Sequence, residues 1–532
     1  MQHRILVSDP LEKTGLTQLR ASGHDVVELP AEQKDQLQEK IGDFDALVVR
    51  SGTQVTADLL RAGKNRGAGR LRVVGRAGIG VDNVDTRAAT ELGILVVNAP
   101  TANLISACEH TFALLLALAR KVAAADADIK REAWNRKNFV GVELQGKTLG
   151  VIGFGRIGQQ VARRAQAFDM DVLAYDPFLP DDVVAQHDAT PLPLDELLQQ
   201  ADVVTLHVPL TDDTRDLLSG DRLRKMKQGA LLINCARGGV VDETTLLELL
   251  ESGHIAGAGL DVFAAEPPSD WELAAHPKVV ATPHVGAQTR EAQVRISTQT
   301  AKMVLAALEG SLAVTAVNLP FRPAGAAGAP FLHLAETLGH LAGCLGDGGL
   351  RSLEVVFRGI EDDLQRPATV AAVKGVLQRQ LGDAVNYVNA ETLATERGVE
   401  VRRSTSAKDL GYPNLLTLSL AGDEGSIDIS GTIFHGSEAR VVEIEGYPLE
   451  FRPKGDLLIV RNRDVPGVVG NLGSILGEAG LNIAEIHLAR RPGSEQALAI
   501  VRLDQQPEAN VIDRLQSLPE VQWALTVHLR DS

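Results

Sequence analysis

Three side chains stand out for the chemistry they could share. Arg237 in NCARGG, Glu266 in GLDVFAAEPP and His284 in TPHVGA each follow a short apolar run that reads as a β-strand. In an open parallel sheet the carboxyl ends of the strands line the ligand crevice, so all three could meet there. An imidazole titrates near neutral pH and can take a hydroxyl proton while hydride leaves the same carbon. A carboxylate bonded to its other ring nitrogen would fix the tautomer and stabilise the imidazolium. A guanidinium offers a planar fork to the two oxygens of a carboxylate beside the reacting carbon. In the reverse direction it would stabilise charge developing on the carbonyl oxygen. Singly, these residues are ordinary: a loop carboxylate, a turn arginine, a hydrogen-bonded histidine. Their ordered placement is what makes them a set.

They stand behind a loop that can bind a dinucleotide. VIGFGRIG carries Gly153, Gly155 and Gly158 in G-x-G-x-x-G spacing, with a strand before it and the helical run RIGQQVARRAQAF after it. The first glycine permits a tight turn, the second lets a pyrophosphate approach the backbone, and the third allows close helix–strand packing. The helix start adds free N–H groups and a positive dipole end. The next strand ends at Asp176, 18 residues beyond Gly158. A carboxylate there can accept both ribose hydroxyls of NAD and would repel a 2′-phosphate.

The elements that must position these groups repeat a strand–helix rhythm. RILVSD, ALVVRS, RVVGRAG and ILVVNAP read as strands, and a helix is predicted from about Leu104 to Ala125. A second series starts at KTLGVIGFGRIG and continues through DVLAYD, DVVTLHVP, GALLINCA, GAGLDV and VVATPH. Alternation of this kind predicts parallel sheets with crossover helices. A long helix is expected over about 288–309, then NLPFRPAGAAGAP breaks the pattern and marks a boundary. Helices and apolar strands such as LEVVFRG and LLTLSLAG fill 331–450, with no catalytic pattern. After RPKGD the last 77 or so residues read as strand–helix–strand twice over, a ferredoxin-like unit.

At 532 residues the chain is too long for one core. A composition of 44% hydrophobic and 23% charged residues fits a soluble globular protein, and the net charge of −16 argues against general nucleic-acid binding. A small anion is still allowed, because a pocket can be basic on an acidic protein. Cys108, Cys235 and Cys344 lack metal-ligand spacing, so no metal site is expected and a reducing compartment is. The N-terminus lacks a signal-peptide pattern, and TFALLLALA is too short to span a bilayer, so a cytoplasmic location without membrane contact is expected.

VIGFGRIG, NCARGG, GLDVFAAEPP and TPHVGA, in that order and spacing, resemble the D-2-hydroxyacid dehydrogenase family. VGRAGIGVDNVD, GVELQGKTLGVIGFGRIG and the C-terminal extension narrow the resemblance to the family's phosphoglycerate-oxidising branch in its long form. The resemblance covers essentially the whole chain and is weakest over 320–450. It implies an α/β protein: a flavodoxin-like substrate domain (1–98 and 287–318), a Rossmann-type NAD domain (99–286), an α+β intervening domain (319–453) and a ferredoxin-like ACT domain (454–532).

The same resemblance implies Arg237, Glu266 and His284 as the catalytic trio. It implies NAD contacts at Arg156, Ile157 and Asp176, at Cys235, Ala236 and Arg237, at Asp261, and at His284, Val285, Gly286 and Ala287. Arg50, Ser51 and Arg76 match substrate-contacting positions, and Trp134, Arg136 and Lys137 match a segment that can reach a partner subunit's cleft. The implied reaction is NAD-dependent oxidation of 3-phosphoglycerate to 3-phosphohydroxypyruvate, the first step of L-serine synthesis, in a homo-dimer or homo-tetramer. Alternatives are a dehydrogenase for another 2-hydroxyacid, such as glycerate or 2-hydroxyglutarate, or a non-catalytic NAD sensor.

LLIVRNRDVPGVVGNLGSILGEAGLNIAEIHLAR resembles an ACT domain. Pro466 and Gly467 would turn its first strand into its first helix, whose stripe Val468, Leu472, Ile475 and Leu476 faces the sheet. Asp464 and Asn482 match positions where relatives contact serine, which makes L-serine the expected effector, and Asn462 is counted with them as a regulatory residue. Asn462 departs from the larger His or Tyr found there in relatives. An ACT domain serving only assembly is the alternative. Arg452 and Lys454 could bind an anion or be solvated linker charges.

Overall fold

The computed structural model describes residues 2–529 apart from 313–314, 323–324, 347–348, 408–410, 424 and 492. Part of the proline- and glycine-rich boundary segment therefore lies outside the described residues. The chain forms two compact units. One comprises Met1–Thr56, Val74–Val84 and Val97–Glu309, and the other Ala57–Val73, Asp85–Val96 and Gly310–Ser532.

The first sheet contains β1 (Arg4–Val7), β2 (Asp25–Glu28), β3 (Ala46–Val49), β4 (Val73–Arg76) and β5 (Leu95–Val97), in the order β2-β1-β3-β4-β5. That is the flavodoxin-like order, and ligands collect outside its strand ends. The second sheet contains β6 (Thr148–Ile152), β7 (Asp171–Tyr175), β8 (Thr190–Pro191), β9 (Val203–Leu206), β10 (Ala230–Asn234), β11 (Ile255–Leu260) and β12 (Val279–Ala281). Its order, β12-β11-β10-β9-β6-β7-β8, reverses direction between β6 and β9. This is the Rossmann arrangement, with its crevice at the reversal. All five residues of β10, Ala-Leu-Leu-Ile-Asn, are buried. A strand covered on both faces reads as a continuous apolar run, which is why the pattern was legible.

The helix expected to run to Ala125 stops at Ala119. Lys121 takes a left-handed conformation (φ 53°) and a separate helix, Val122–Lys130, follows. The cause is burial. Phe112, Leu114, Leu115 and Ala119 pack into the Rossmann core with Val151 and Ile233, whereas no residue of the second helix is buried. The long helix near residue 290 forms over Arg290–Leu308. Thr289 caps it by accepting the Ala292 N–H, so its start falls two residues later than expected.

In the second unit a six-stranded sheet carries the helices Gly325–Leu345 and Asp362–Leu381. A Cβ on Gly339 would lie 2.2 Å from the Ala372 carbonyl oxygen, and one on Gly375 would lie 2.1 Å from that of Glu336. Only glycine lets these helices approach so closely. The last strands form a four-stranded sheet with Gly455–Arg463 and Gln496–Leu503 in the middle. Gly467 (φ 97°) opens the helix Val468–Glu478, whose Val468, Leu472 and Leu476 are buried with Ile475 packed beside them, as the stripe predicted.

Candidate active site

The glycine loop has the shape its spacing predicts. Gly153 adopts φ 88°, and a Cβ there would come within 2.7 Å of the His207 carbonyl oxygen. A Cβ on Gly158 would lie 2.2 Å from the Gly153 carbonyl oxygen. Gly155 differs: nothing stands within 4 Å of the place its Cβ would occupy. It caps the helix Arg156–Gln166, so the open space adjoins free N–H groups, an arrangement fit for a phosphate. Arg156 and Ile157 form the helix's first turn. Asp176 stands just past β7, its Oδ2 accepting the Phe154 N–H (2.9 Å) and its Oδ1 the Phe178 N–H (3.0 Å). These bonds fix the carboxylate beside the glycine loop. The residues fit the dinucleotide that the spacing implies.

Across the same strand ends, His284 Nδ1 lies 2.7 Å from Glu266 Oε2. Glu266 Oε1 faces the Phe263 N–H at 3.3 Å. Both side chains of the pair remain partly exposed, at 46% and 38%. An ionised carboxylate only accepts, so Nδ1 carries the proton and Nε2 presents a lone pair. His284 itself is left-handed (φ 53°), a conformation costing an L-residue about 1 kcal/mol or more.

Asp261 holds that turn. It is 1% exposed. Its Oδ1 accepts the Thr282 hydroxyl (2.7 Å) and the Val285 N–H (2.8 Å), and its Oδ2 accepts the Gly286 N–H (2.8 Å). Its backbone carbonyl accepts the His284 N–H at 2.8 Å. Burial pushes the Asp261 carboxyl up, but donors from His110, Thr282, Val285 and Gly286 outweigh it and hold it below the ordinary carboxylate range. The sequence expected Asp261 among the cofactor contacts. Its oxygens accept from the protein, so it acts on the backbone of the His284 loop. A carboxyl depressed on folding contributes stability above its unfolded pKa and loses it as pH falls through the folded value. Asp261→Asn should therefore cost about 1–3 kcal/mol at pH 7. The deficit against the parent chain should shrink at pH 4 and below, measured by urea unfolding at each pH.

Arg237 is presented by a turn that Asn234 folds. Asn234 is buried, donates its Nδ2 to the Arg237 carbonyl (2.9 Å) and accepts the Ala236 N–H (3.0 Å). Arg237 Nε–H donates to Asp82 Oδ2 at 2.8 Å, and one terminal nitrogen donates to the Ala236 carbonyl at 2.7 Å. A Cβ on Gly238 would lie 1.8 Å from the Phe263 carbonyl oxygen, so the arginine and glutamate loops touch only because this residue is glycine. Burial pushes the Cys235 thiol up to about 12, leaving it neutral. Burial also lowers His207 to about 3, so it stays uncharged beside the glycine loop.

Arg76 joins Arg237 from the other sheet. Desolvation and the neighbouring Arg237 lower it to about 10, against the attraction of Asp82. Arg50 and Asp9 act on it as well. Asp9 is buried and accepts the Arg50 N–H at 2.7 Å. Asn83 ties the two loops by donating to the carbonyls of Arg50 and Thr53, both at 2.7 Å. Arg76 thus feels two other guanidiniums and two carboxylates, of which Asp9 is also paired with Lys34. Ser51, next to Arg50, is exposed. Asp82, Asn83 and Asn234 were quoted within motifs but assigned no role. An amide or acid at a strand end was the available signal, and only their distant partners give it meaning.

The predicted regulatory residues are less uniform. Asn462 is 2% exposed, donates to the Arg463 carbonyl (2.7 Å), and its Oδ1 has no hydrogen-bond partner among the described residues. It is a buried group, because its strand is central in the sheet. Asp464 pairs with Arg490 (3.0 Å), and Asn482 donates to Asp504 (2.7 Å). Arg452 pairs with Glu438 at 3.1 Å, which fits a neutralised surface charge. Trp134 is 82% exposed, beside the exposed short turn that carries Arg136 and Lys137. Among the described residues no group of three or more His, Cys, Asp or Glu could hold a metal ion.

Comparison with known proteins gives a consistent result along the whole chain. Residues 112–286 match the model of the D-isomer specific 2-hydroxyacid dehydrogenase NAD-binding domain. Residues 329–445 match the D-3-phosphoglycerate dehydrogenase intervening domain, and 457–520 the ACT domain. The chain is 38% identical over 521 residues to a D-3-phosphoglycerate dehydrogenase of Bacillus subtilis, covering 97% of this chain and 98% of that one. It is 40% identical over 533 residues to one of Methanocaldococcus jannaschii, covering 99% and 100%. Among solved structures it resembles a D-lactate dehydrogenase from Aquifex aeolicus complexed with NAD and lactic acid. That likeness has TM-score 0.52 and 31% identity, over 58% of this chain and 96% of that one.

Proposed function

Since the chain belongs to the D-3-phosphoglycerate dehydrogenase family, we propose that it oxidises the C2 hydroxyl of 3-phosphoglycerate to the ketone of 3-phosphohydroxypyruvate. It is an NAD-dependent oxidoreductase, and the reaction opens L-serine synthesis. The observation that carries the proposed roles is the 2.7 Å bond between His284 Nδ1 and Glu266. With Nδ1–H committed to the carboxylate, Nε2 is the nitrogen that takes the substrate hydroxyl proton. Glu266 stabilises the imidazolium that results. NAD, when bound, supplies the hydride acceptor. Arg237 pairs with the C1 carboxylate, and Arg50 and Arg76 favour the phosphate.

Asp176 keeps the preference for NAD. Asp176→Asn removes the charge but retains an acceptor for the backbone, so use of NADP relative to NAD should rise by about tenfold or more, about 1.4 kcal/mol. Steady-state kcat/KM with each nucleotide tests this, and an unchanged ratio would assign the preference elsewhere.

The remaining parts of the reading concern control and assembly. The ACT domain is compatible with a small-molecule effector, and L-serine is the one we propose. Val122, Ile129, Trp134, Val140 and Val142 are all more than half exposed, which supports a homo-oligomer formed over that face. No helix among the described residues is long and apolar enough to cross a membrane. A cytoplasmic location is part of the proposal. The deciding assay follows NADH formation with 3-phosphoglycerate, glycerate and 2-hydroxyglutarate in parallel, with and without L-serine. Preference for either unphosphorylated acid would overturn the substrate. Turnover insensitive to serine would overturn the effector.

A further inference from the structure

One titratable side chain at the site has no role in the mechanism above. His110 lies on the helix Leu104–Ala119, outside the strand-end loops. Its Nε2 is 2.9 Å from Thr282 Oγ1 and 3.2 Å from Asp261 Oδ1. The Thr282 hydroxyl has one proton, and that proton is given to Asp261. Its oxygen can therefore only accept from His110, so Nε2 of His110 carries the hydrogen and the tautomer is fixed. Asp261 then receives donors from both sides. The loop supplies Thr282, Val285 and Gly286, and the helix supplies His110. The same helix reaches the far end of this loop, where the Ser106 and Thr289 hydroxyls lie 2.8 Å apart.

We propose that His110 is a positioning residue: its Nε2–H locks Asp261 and Thr282 in place, and these two hold the left-handed turn that aims His284 at the substrate. The inference rests on His284 being the acid–base group of the proposed reaction. Without the His110 donor, Thr282 and Asp261 lose their tie to the helix; the Thr282, Val285 and Gly286 bonds to Asp261 remain, but the loop they form can shift as a unit and carry His284 with it. His284 then keeps its bond to Glu266 but loses its aim.

Gln places a donor near the histidine Nε2, whereas Asn reaches only as far as Nδ1. The full chain carrying His110→Asn should lose kcat by on the order of tenfold to a hundredfold, the scale of a small misplacement of a reacting group. KM for 3-phosphoglycerate should move less than about threefold, since a positioning loss falls mainly on kcat. The deuterium isotope effect on kcat with C2-deuterated substrate should rise. His110→Gln should recover most of the loss. In a His284→Asn background, His110→Asn should add almost nothing, because both act through one group. Equal activity of His110→Asn and the parent would overturn the inference, as would a full additional loss in the His284→Asn background. The same holds if Gln and Asn are equally impaired with matching drops in melting temperature, which would mark a packing role. If His284→Asn itself turns over normally, the acid–base reading fails instead.

Discussion

His284→Asn should lower kcat for 3-phosphoglycerate oxidation by about 10²–10⁴-fold, the range lost when a positioned acid–base group is removed. Asn is the informative replacement because it tolerates the left-handed backbone that His284 adopts (φ 53°). The loss therefore cannot be assigned to a refolded turn, as it could with a bulkier side chain. Cofactor affinity should be nearly unchanged. The glycine loop and Asp176 are built from β6, β7 and the helix Arg156–Gln166, and none of their bonds described above involves the His284 side chain. Glu266→Gln should fall between parent and His284→Asn. It keeps an acceptor for Nδ1–H but withdraws the charge that stabilises the imidazolium. Combining the two should cost little more than His284→Asn alone, since Glu266 acts through the imidazole. Stopped-flow and steady-state NADH formation measure all three chains. If His284→Asn stayed within tenfold of the parent, the proton would have to leave by another group.

The glycine loop, the strand-end loops that carry Glu266 and His284, and both parallel sheets could be read directly because each depends on local spacing. Gly153, Gly155 and Gly158 need only their own turn, and a strand buried on both faces announces itself as an apolar run. The pairing of Glu266 with His284 was legible for a related reason: the parallel topology delivers every strand end to one edge, so position along the chain predicts position in space. What stayed hidden was pairwise. Nothing near Asp82 says that it will meet Arg237, 155 residues away. Nothing near His110 says that it will meet Thr282, 172 residues away. Both contacts are fixed by how the elements pack, which spacing within a motif does not encode. Asp261 shows the limit from the other side. Its motif was recognised, but its oxygens are consumed by the loop it supports. Asn462 was placed on the right strand, and only the sheet order, which puts that strand in the middle, reveals its burial.

The hidden Asp82 contact sets the expectation for Arg237. Its Nε–H is committed to Asp82 and one terminal N–H to the Ala236 carbonyl. The remaining terminal hydrogens are what it can offer a substrate carboxylate. A lysine at this position has three donors on a single point and cannot hold Asp82, the backbone carbonyl and a bidentate partner together. Arg237→Lys should therefore keep the charge yet lose at least one charge-assisted hydrogen bond, worth about 1.5–3 kcal/mol. On the rate scale that is about a tenfold to a hundredfold fall in kcat/KM. Arg237→Ala should lose more, because Arg76 would then face Asp82 without its second guanidinium neighbour and the carboxylate would have no fork at all. Gly80→Ala supplies an independent check, since a Cβ at Gly80 would come within 1.8 Å of an Arg237 terminal nitrogen. It should reproduce the Arg237→Lys defect without touching the arginine. All three variants should show the loss in KM for the acid as well as in kcat, because the arginine holds the carboxylate in the ground state and its neighbouring oxygen in the transition state. A defect confined to NAD binding would instead assign Arg237 to the cofactor alone and leave the substrate carboxylate to Arg50 or Arg76.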